Sequence, residues 1–291
     1  MYKKVYFVVL FAFALITGCG GGGNSKQVAS GSEKFVLTHD GVNREYAVIL
    51  PDNYDGETAL PVVLNFHGYG GKAQEYIVEA DMRPEAQSAP FLLVYPQGSL
   101  LNGVSHWNAS LPGPDNKSSA DDLGFTRALI EQLSESYTID AERIYAVGYS
   151  NGGMFSYALA CQLSDKIAAI GSVSGTMLDG DCNPLRPIPV IIFHGTEDSV
   201  IPYEGDEDWN SVETVLNHWI QFNGTETTPT NTRQNANVEY SQYINNNSGI
   251  AVEHYKVVGG EHIWFTQGTD GLNTSEQLWQ FLSQYDLNGK R

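Results

Sequence analysis

The chain has 291 residues, 42% of them hydrophobic, which suits a folded domain with a sizeable core and argues against a disordered chain. Acidic residues outnumber basic ones by 34 to 16, giving a formal net charge of −18. That balance lacks the basic footprint of a nucleic-acid binder and disfavours polyanionic substrates; a solvated acidic surface accounts for it.

At the N-terminus, Lys3 and Lys4 precede an apolar run from Val5 to Ile16, followed by Thr17, Gly18 and Cys19. This is the layout of a secretory signal peptide. The run is shorter than the ~20 apolar residues that a membrane-spanning helix needs. The stretch LITGC resembles the lipobox of bacterial lipoproteins, in which the signal is cut before a cysteine that then carries the lipid. On that reading residues 1–18 are the signal and Cys19 is the lipidated mature N-terminus. Residues 19–33, rich in Gly and Ser, form a flexible tether to a catalytic domain over 34–291. The protein is then exported and held to the cell envelope. Its remaining cysteines, Cys161 and Cys182, mature in an oxidising compartment and are expected to pair. No CxxC or His/Cys cluster with zinc spacing occurs, so no metal is expected.

The folded part opens with KFVLTHDGVNREYAVILP, two strand-like runs around Asp40-Gly41, a pair suited to a tight hairpin turn. Short apolar runs follow at 61–66, 91–95, 144–148, 167–174, 189–194 and 252–258. Helix-like segments lie between several of them: Asp121 to Tyr137, Gly152 to Leu163, Trp209 to Phe222 and Thr274 to Tyr285. Short buried strands alternating with helices predict an α/β fold, a largely parallel sheet covered on both faces, with the antiparallel hairpin at its start. Asp121 and Asp122 precede an apolar helical stripe at Leu123, Phe125, Leu129, Ile130 and Leu133, so both read as N-terminal capping charges and not as a catalytic pair. The polar stretch 224–237 reads as a surface loop, and two strands are expected around Asn245 to Gly249.

Chemistry concentrates at Gly148-Tyr149-Ser150-Asn151-Gly152. GxSxG alone is a weak pattern, but here a strand leads directly in and a helix directly out, which is the setting of a nucleophile elbow. A serine hydroxyl attacks only when a base takes its proton, and an imidazole serves best when a carboxylate fixes its tautomer. In chain order the acid follows the serine and the histidine comes last. Asp198, in the turn after the run PVIIFH, is the favoured acid. Glu197 beside it is able to exchange roles, and Asp206 and Asp208 sit further into an acidic loop. Of the seven histidines, four follow Ser150. His194 precedes the acid, His218 lies in a helix and His254 alternates within a strand. His262, after a late strand and a Gly-Gly bend, is the expected base. Oxyanion donors are expected from the Asn151 N–H and from the loop NFHGYGG, through Tyr69; His67 reads as structural.

The segments HGYGG, HWN, DDLGFTRALIEQL, RIYAVGYSNGGMFSYALAC, PVIIFHGTEDSVIPYEG and GGEHIWF resemble exported esterases of the polyhydroxybutyrate depolymerase-like and feruloyl esterase-like group, related to carbohydrate esterase family one. The resemblance runs from about Phe35 to the C-terminal helix. It implies an α/β-hydrolase without a metal or organic cofactor, a triad of Ser150, Asp198 and His262, and a substrate entrance lined by Trp107; a loop aromatic packed on the core is the competing reading of that tryptophan. Two positions depart from the group's pattern. His106 stands where a cysteine is common, and HIWF replaces HTWP, which is expected to loosen the loop that carries His262.

The function expected from all this is a lipid-anchored serine carboxylesterase acting on feruloyl or acetyl esters of polysaccharides, with an ester substrate and a membrane as its partners and no nucleic acid. The alternative within esterases is a depolymerase of polyhydroxyalkanoate or polyhydroxybutyrate oligomers. A serine peptidase is disfavoured because such enzymes bring a propeller or cap domain for which the chain has no room. A binding protein with a fossil site is disfavoured by the complete set of triad residues.

Overall fold

The computed structural model describes residues 32–110, 117–178, 180, 182–235, 237–266 and 272–291. The signal segment, Cys19 and most of the tether lie outside them. Among the described residues, no helix is long and apolar enough to cross a membrane.

The predicted hairpin forms from β1 (Glu33–His39) and β2 (Val42–Ile49). Asp40 and Gly41 turn it with φ of 50° and 75°, the left-handed pair that matches the twist of the flanking strands. Then come β3 (Leu60–Phe66), α1 (Ala73–Glu79), α2 (Arg83–Ser88), β4 (Leu92–Pro96) and a small hairpin of β5 (Ser99–Leu101) and β6 (Val104–His106). The middle of the chain supplies α3 (Asp122–Ser136), β7 (Ile139–Tyr149), α4 (Asn151–Gln162), β8 (Ala169–Val173), β9 (Val190–Gly195) and α5 (Val212–Phe222). The last part holds β10 (Asn231–Gln234), β11 (Val238–Ile244), β12 (Ala251–Val257), α6 (Thr274–Leu282), β13 (Tyr285–Asp286) and β14 (Gly289–Lys290).

Among the described residues, ten strands make one sheet in the order β1-β2-β4-β3-β7-β8-β9-β12-β11-β10. The six from β4 to β12 run parallel, and the pairs at either flank run antiparallel. The apolar runs are continuous because both faces are buried. Val62, Leu64, Ile144, Ala146, Val190 and Ile192 meet α3, α4 and α5 on one side. Val63, Tyr145, Val147, Ile191 and Phe193 meet α1, α2 and α6 on the other. From β3 the chain steps outward to β4, then returns past it to β7. That reversal opens a crevice at the carboxyl ends of β3 and β7, where ligands bind in open α/β sheets.

The structure departs from the sequence reading in places where apolar pattern is absent. The supposed loop at 224–237 contains β10, an edge strand paired with β11 from Asn231↔Gln242 to Gln234↔Glu239. An edge strand needs no buried face, so it leaves no alternation to read; Arg233 sits 4.3 Å over the Tyr240 ring and helps hold it. The helices α1 and α2, of seven and six residues, are too short to show a stripe.

Cys161 of α4 is bonded to Cys182, with Cα atoms 4.8 Å apart and a sequence separation of 21. It closes the loop that follows β8 back onto the elbow helix. Chain-entropy arguments give such a loop about 3 kcal/mol of stabilisation. Denaturant unfolding of Cys161→Ser is expected to show a loss of that order, and two free thiols in the unreduced protein would overturn the bond itself.

Candidate active site

The loops that leave the parallel strands converge on one edge of the sheet. Ser150 follows β7 directly, with φ 53° and ψ −121°, a conformation that costs free energy in any residue but glycine. The neighbours make room for it. A side chain on Gly148 would overlap the Gly152 backbone, and one on Gly152 would overlap the Phe66 carbonyl. Strand, turn and helix therefore close on each other only with glycine at both places.

His262, after β12, places Nε2 2.9 Å from the Ser150 Oγ and donates from Nδ1 to Asp198 Oδ2 at 2.7 Å. Asp198 follows β9 and is saturated: its Oδ1 accepts from the Val200 and Ile201 N–H groups at 2.9 and 2.8 Å. Burial alone would raise its pKa; hydrogen bonds from His194, His262, Ile201 and Val200 outweigh that and hold the carboxyl well below the usual range. Asp198 is buried, whereas Glu197 beside it points to solvent, which separates the two acid candidates. Asp206 is exposed and accepts from the N–H groups of Asp208 and Trp209, a local turn.

The oxyanion loop lies against the elbow: a Cβ on Gly68 would sit 3.3 Å from that of Ser150. Within it the Gly70 N–H goes to the Ser105 carbonyl and the Gly71 N–H to that of Gly68, at 2.8 and 3.0 Å. The Tyr69 N–H has no backbone acceptor among the described residues, and Asn151, first residue of its helix, has no intrahelical one. Two backbone donors are thus left unspent beside Ser150. His67 is structural: Nδ1 donates to the Gly68 carbonyl at 2.7 Å and Nε2 accepts from the Gly98 N–H at 2.9 Å. Burial pushes its pKa down to about 4, so the ring stays neutral and locks the loop.

Trp107 combines core packing with a place in the lining of a cavity beside Asn151. Its side chain is 1% exposed, stacks on Phe155 at 5.2 Å and donates from Nε1 to the His67 carbonyl at 3.0 Å. It underpins the site from the core side. Its backbone matters more: Asn151 accepts from the Trp107 N–H at 2.7 Å and donates to the Trp107 carbonyl at 3.0 Å, clamping this segment to the elbow. His106, which stands where the resembled group commonly has a cysteine, spans Ser99 and Asn108 at 3.2 and 3.3 Å.

Asp122 also corrects the capping reading. Asp121 alone is the N-cap, accepting from the Gly124 N–H at 2.8 Å. Asp122 is buried, pairs with Arg44 at 2.8 Å and accepts from the Asn108 N–H at 2.8 Å, so it anchors the segment beside Trp107. Removing one member of a buried pair strands the other charge. Asp122→Ala is accordingly expected to cost about 3–5 kcal/mol in denaturant unfolding, and the double variant Arg44→Met with Asp122→Ala less than that.

Two hydrogen bonds anchor the stretch carrying His262, where the group's proline is missing. The Tyr149 hydroxyl donates to the His262 carbonyl at 2.7 Å, and the Ser174 hydroxyl donates to that of Ile263 at 3.1 Å. Sequence reasoning missed these two anchors, and it missed His194. The His194 Nε2–H donates to the Ile201 carbonyl at 2.8 Å and lies 3.3 Å from Asp198 Oδ2, backing the acid from the core. The only sequence signal was its place four residues before Asp198.

A cavity of about 260 Å³ adjoins Asn151, lined by Trp107, Ala109, Lys117, Met154, Leu178 and Trp209. The profile of the phospholipase/carboxylesterase family matches residues 53–230, more than half of the chain and the stretch that includes β3, the elbow and Asp198. The chain belongs to that family. Its sheet and helices have the α/β-hydrolase fold. This carboxylesterase-family chain is 28% identical over 253 residues to a bifunctional acetylxylan esterase/xylanase of Neocallimastix patriciarum, covering 86% of the chain and 34% of that protein. It is 28% identical over 258 residues to feruloyl esterase B of Piromyces equi, covering 84% and 46%. It therefore spans less than half the length of these curated relatives. Among solved structures, an acetyl xylan esterase from Aspergillus awamori superposes with a TM-score of 0.65 at 15% identity, covering 86% of this chain and 99% of its own. A ferulic acid esterase from Anaeromyces mucronatus gives 0.54 at 18% identity, covering 87% and 90%. At such identities the likeness is one of fold.

Proposed function

We propose that this protein is an exported serine carboxylesterase that removes feruloyl or acetyl groups from polysaccharides. The observation that carries the chemistry is the unbroken chain Ser150–His262–Asp198 beside two unspent backbone N–H groups. His262 Nε2 takes the Ser150 proton as Oγ adds to the ester carbonyl. The oxyanion accepts from the Tyr69 and Asn151 N–H groups. Collapse expels the alcohol, which takes the proton from His262 and leaves an acyl-serine. Water, deprotonated by His262, then releases the acid and returns the proton to Ser150.

Support for the substrate class comes from the relatives named for acetylxylan and feruloyl esters. The cavity beside Asn151, about 260 Å³ and walled by Met154, Leu178 and Trp209, exceeds what an acetyl group fills and favours an aromatic acyl group. Methyl ferulate, acetylated xylan and hydroxybutyrate oligomers separate the choices. Release of ferulate or acetate is expected; cleavage of hydroxybutyrate oligomers alone would transfer the assignment to a polyester depolymerase. The export and anchoring part rests on residues 1–19. Palmitate labelling lost in Cys19→Ala is the expected result, and equal labelling of both chains would end that part of the reading.

A further inference from the structure

Beside the oxyanion loop lies a second and larger concavity, about 940 Å³, used by neither the triad nor the acyl cavity. It is lined by Gly70 and Gly98, by Asn43 of the N-terminal hairpin and by Ser119 ahead of α3. Neighbouring strands lie ~4.8 Å apart, so the path from β7 across β3 and β4 to β2 is roughly 14 Å. The groove thus leads outward from the nucleophile along the carboxyl edge of the sheet, and its volume is at the upper end of the range for small-ligand sites.

Its lining suits one ligand chemistry. Short hydroxyl and amide side chains recur, as at Asn43, Ser99 and Ser119, while Lys72, Glu45 and Asp121 mix the two signs of charge and favour no polyion. Val42 and Leu100, 57% and 68% exposed, give apolar edges. Tyr69, adjacent in the chain to the lining residue Gly70, is 58% exposed and leaves its aromatic ring open to solvent. Hydroxyl partners, C–H surfaces and a free aromatic face without a dominant charge are what a neutral carbohydrate chain engages. We propose that this groove binds the glycan that bears the ester, with the alcohol side of the substrate running over β4 and β2 while the acyl group turns into the cavity beside Asn151. The assignment rests on the polysaccharide-esterase reading for its purpose, though not for its binding test.

Ser119→Trp and Asn43→Trp fill the groove from two different segments at exposed positions, and unchanged Tm values check that both fold. Chemical-shift titration of the Ser150→Ala chain with an unesterified xylo-oligosaccharide reads binding. Ratios of kcat/KM for a feruloylated xylo-oligosaccharide over methyl ferulate, in the chain with Ser150 intact, read use of the groove. Each tryptophan is expected to weaken binding and lower the ratio by about tenfold. Binding and ratio unchanged in both folded variants, or no binding while methyl ferulate is cleaved, would overturn the groove. Binding lost in the variants with no ester cleaved by the parent chain would support the groove and overturn the esterase reading instead.

Discussion

Ser150→Ala is expected to lower kcat for a short aryl ester by on the order of 10⁴-fold or more, with the fold and Tm intact. The side chain lost is a single hydroxyl whose hydrogen bond is to His262 at 2.9 Å, so no packing goes with it. The backbone strain at φ 53° is the same for alanine as for serine. What remains is the pair of backbone N–H groups and the cavity, which on the proposed mechanism bind and polarise an ester without forming an acyl intermediate. Comparable rates for the two proteins in a spectrophotometric assay would refute the nucleophile.

Asp198→Asn is expected to lower kcat by about 10³- to 10⁴-fold, and the surroundings of the carboxylate say why. Its Oδ1 receives two backbone N–H groups, from Val200 and Ile201, so an amide there must keep its oxygen at that position. The NH₂ is then forced to the Oδ2 position, facing His262 Nδ1 and the Nε2–H of His194. His262 must accept at Nδ1 and carry its proton at Nε2, where it is unable to take one from Ser150. The same geometry sets two donors against each other at His194, so a Tm loss is expected alongside the kinetic one. Glu197→Gln, at an exposed side chain, serves as the control: a large fall there with little effect from Asp198→Asn would reassign the acid.

Much of this site was legible before any coordinates because its parts are local. The elbow needs small residues at Gly148 and Gly152 and a strand and helix around them, all within one short segment. The order of serine, acid and histidine follows from chain direction in a parallel sheet, whose carboxyl ends all open on one edge. The hairpin at Asp40-Gly41 and the buried strands were legible for the same reason, since turn chemistry and apolar runs are properties of neighbouring residues.

Misreadings fell where partners are distant in sequence. Asp122 looked like a second cap beside Asp121 because its partner, Arg44, is 78 residues away. What holds Trp107 was not legible either, since His67, which accepts from its indole, lies 40 residues away. The Tyr149 anchor of the His262 stretch left no local sign either, since the two residues are 113 apart in the chain.

The amino-acid sequence by itself determined the α/β layering, the elbow and the candidates for acid and base, since periodicity and turn chemistry act over a few residues. Only the tertiary structure decided between Asp198 and Glu197, left the Tyr69 N–H unspent, put His194 behind the acid and opened the groove beside Gly70. Each of those depends on which loops share the carboxyl edge of the sheet and how closely they pack there, a matter of long-range contacts that no local pattern encodes.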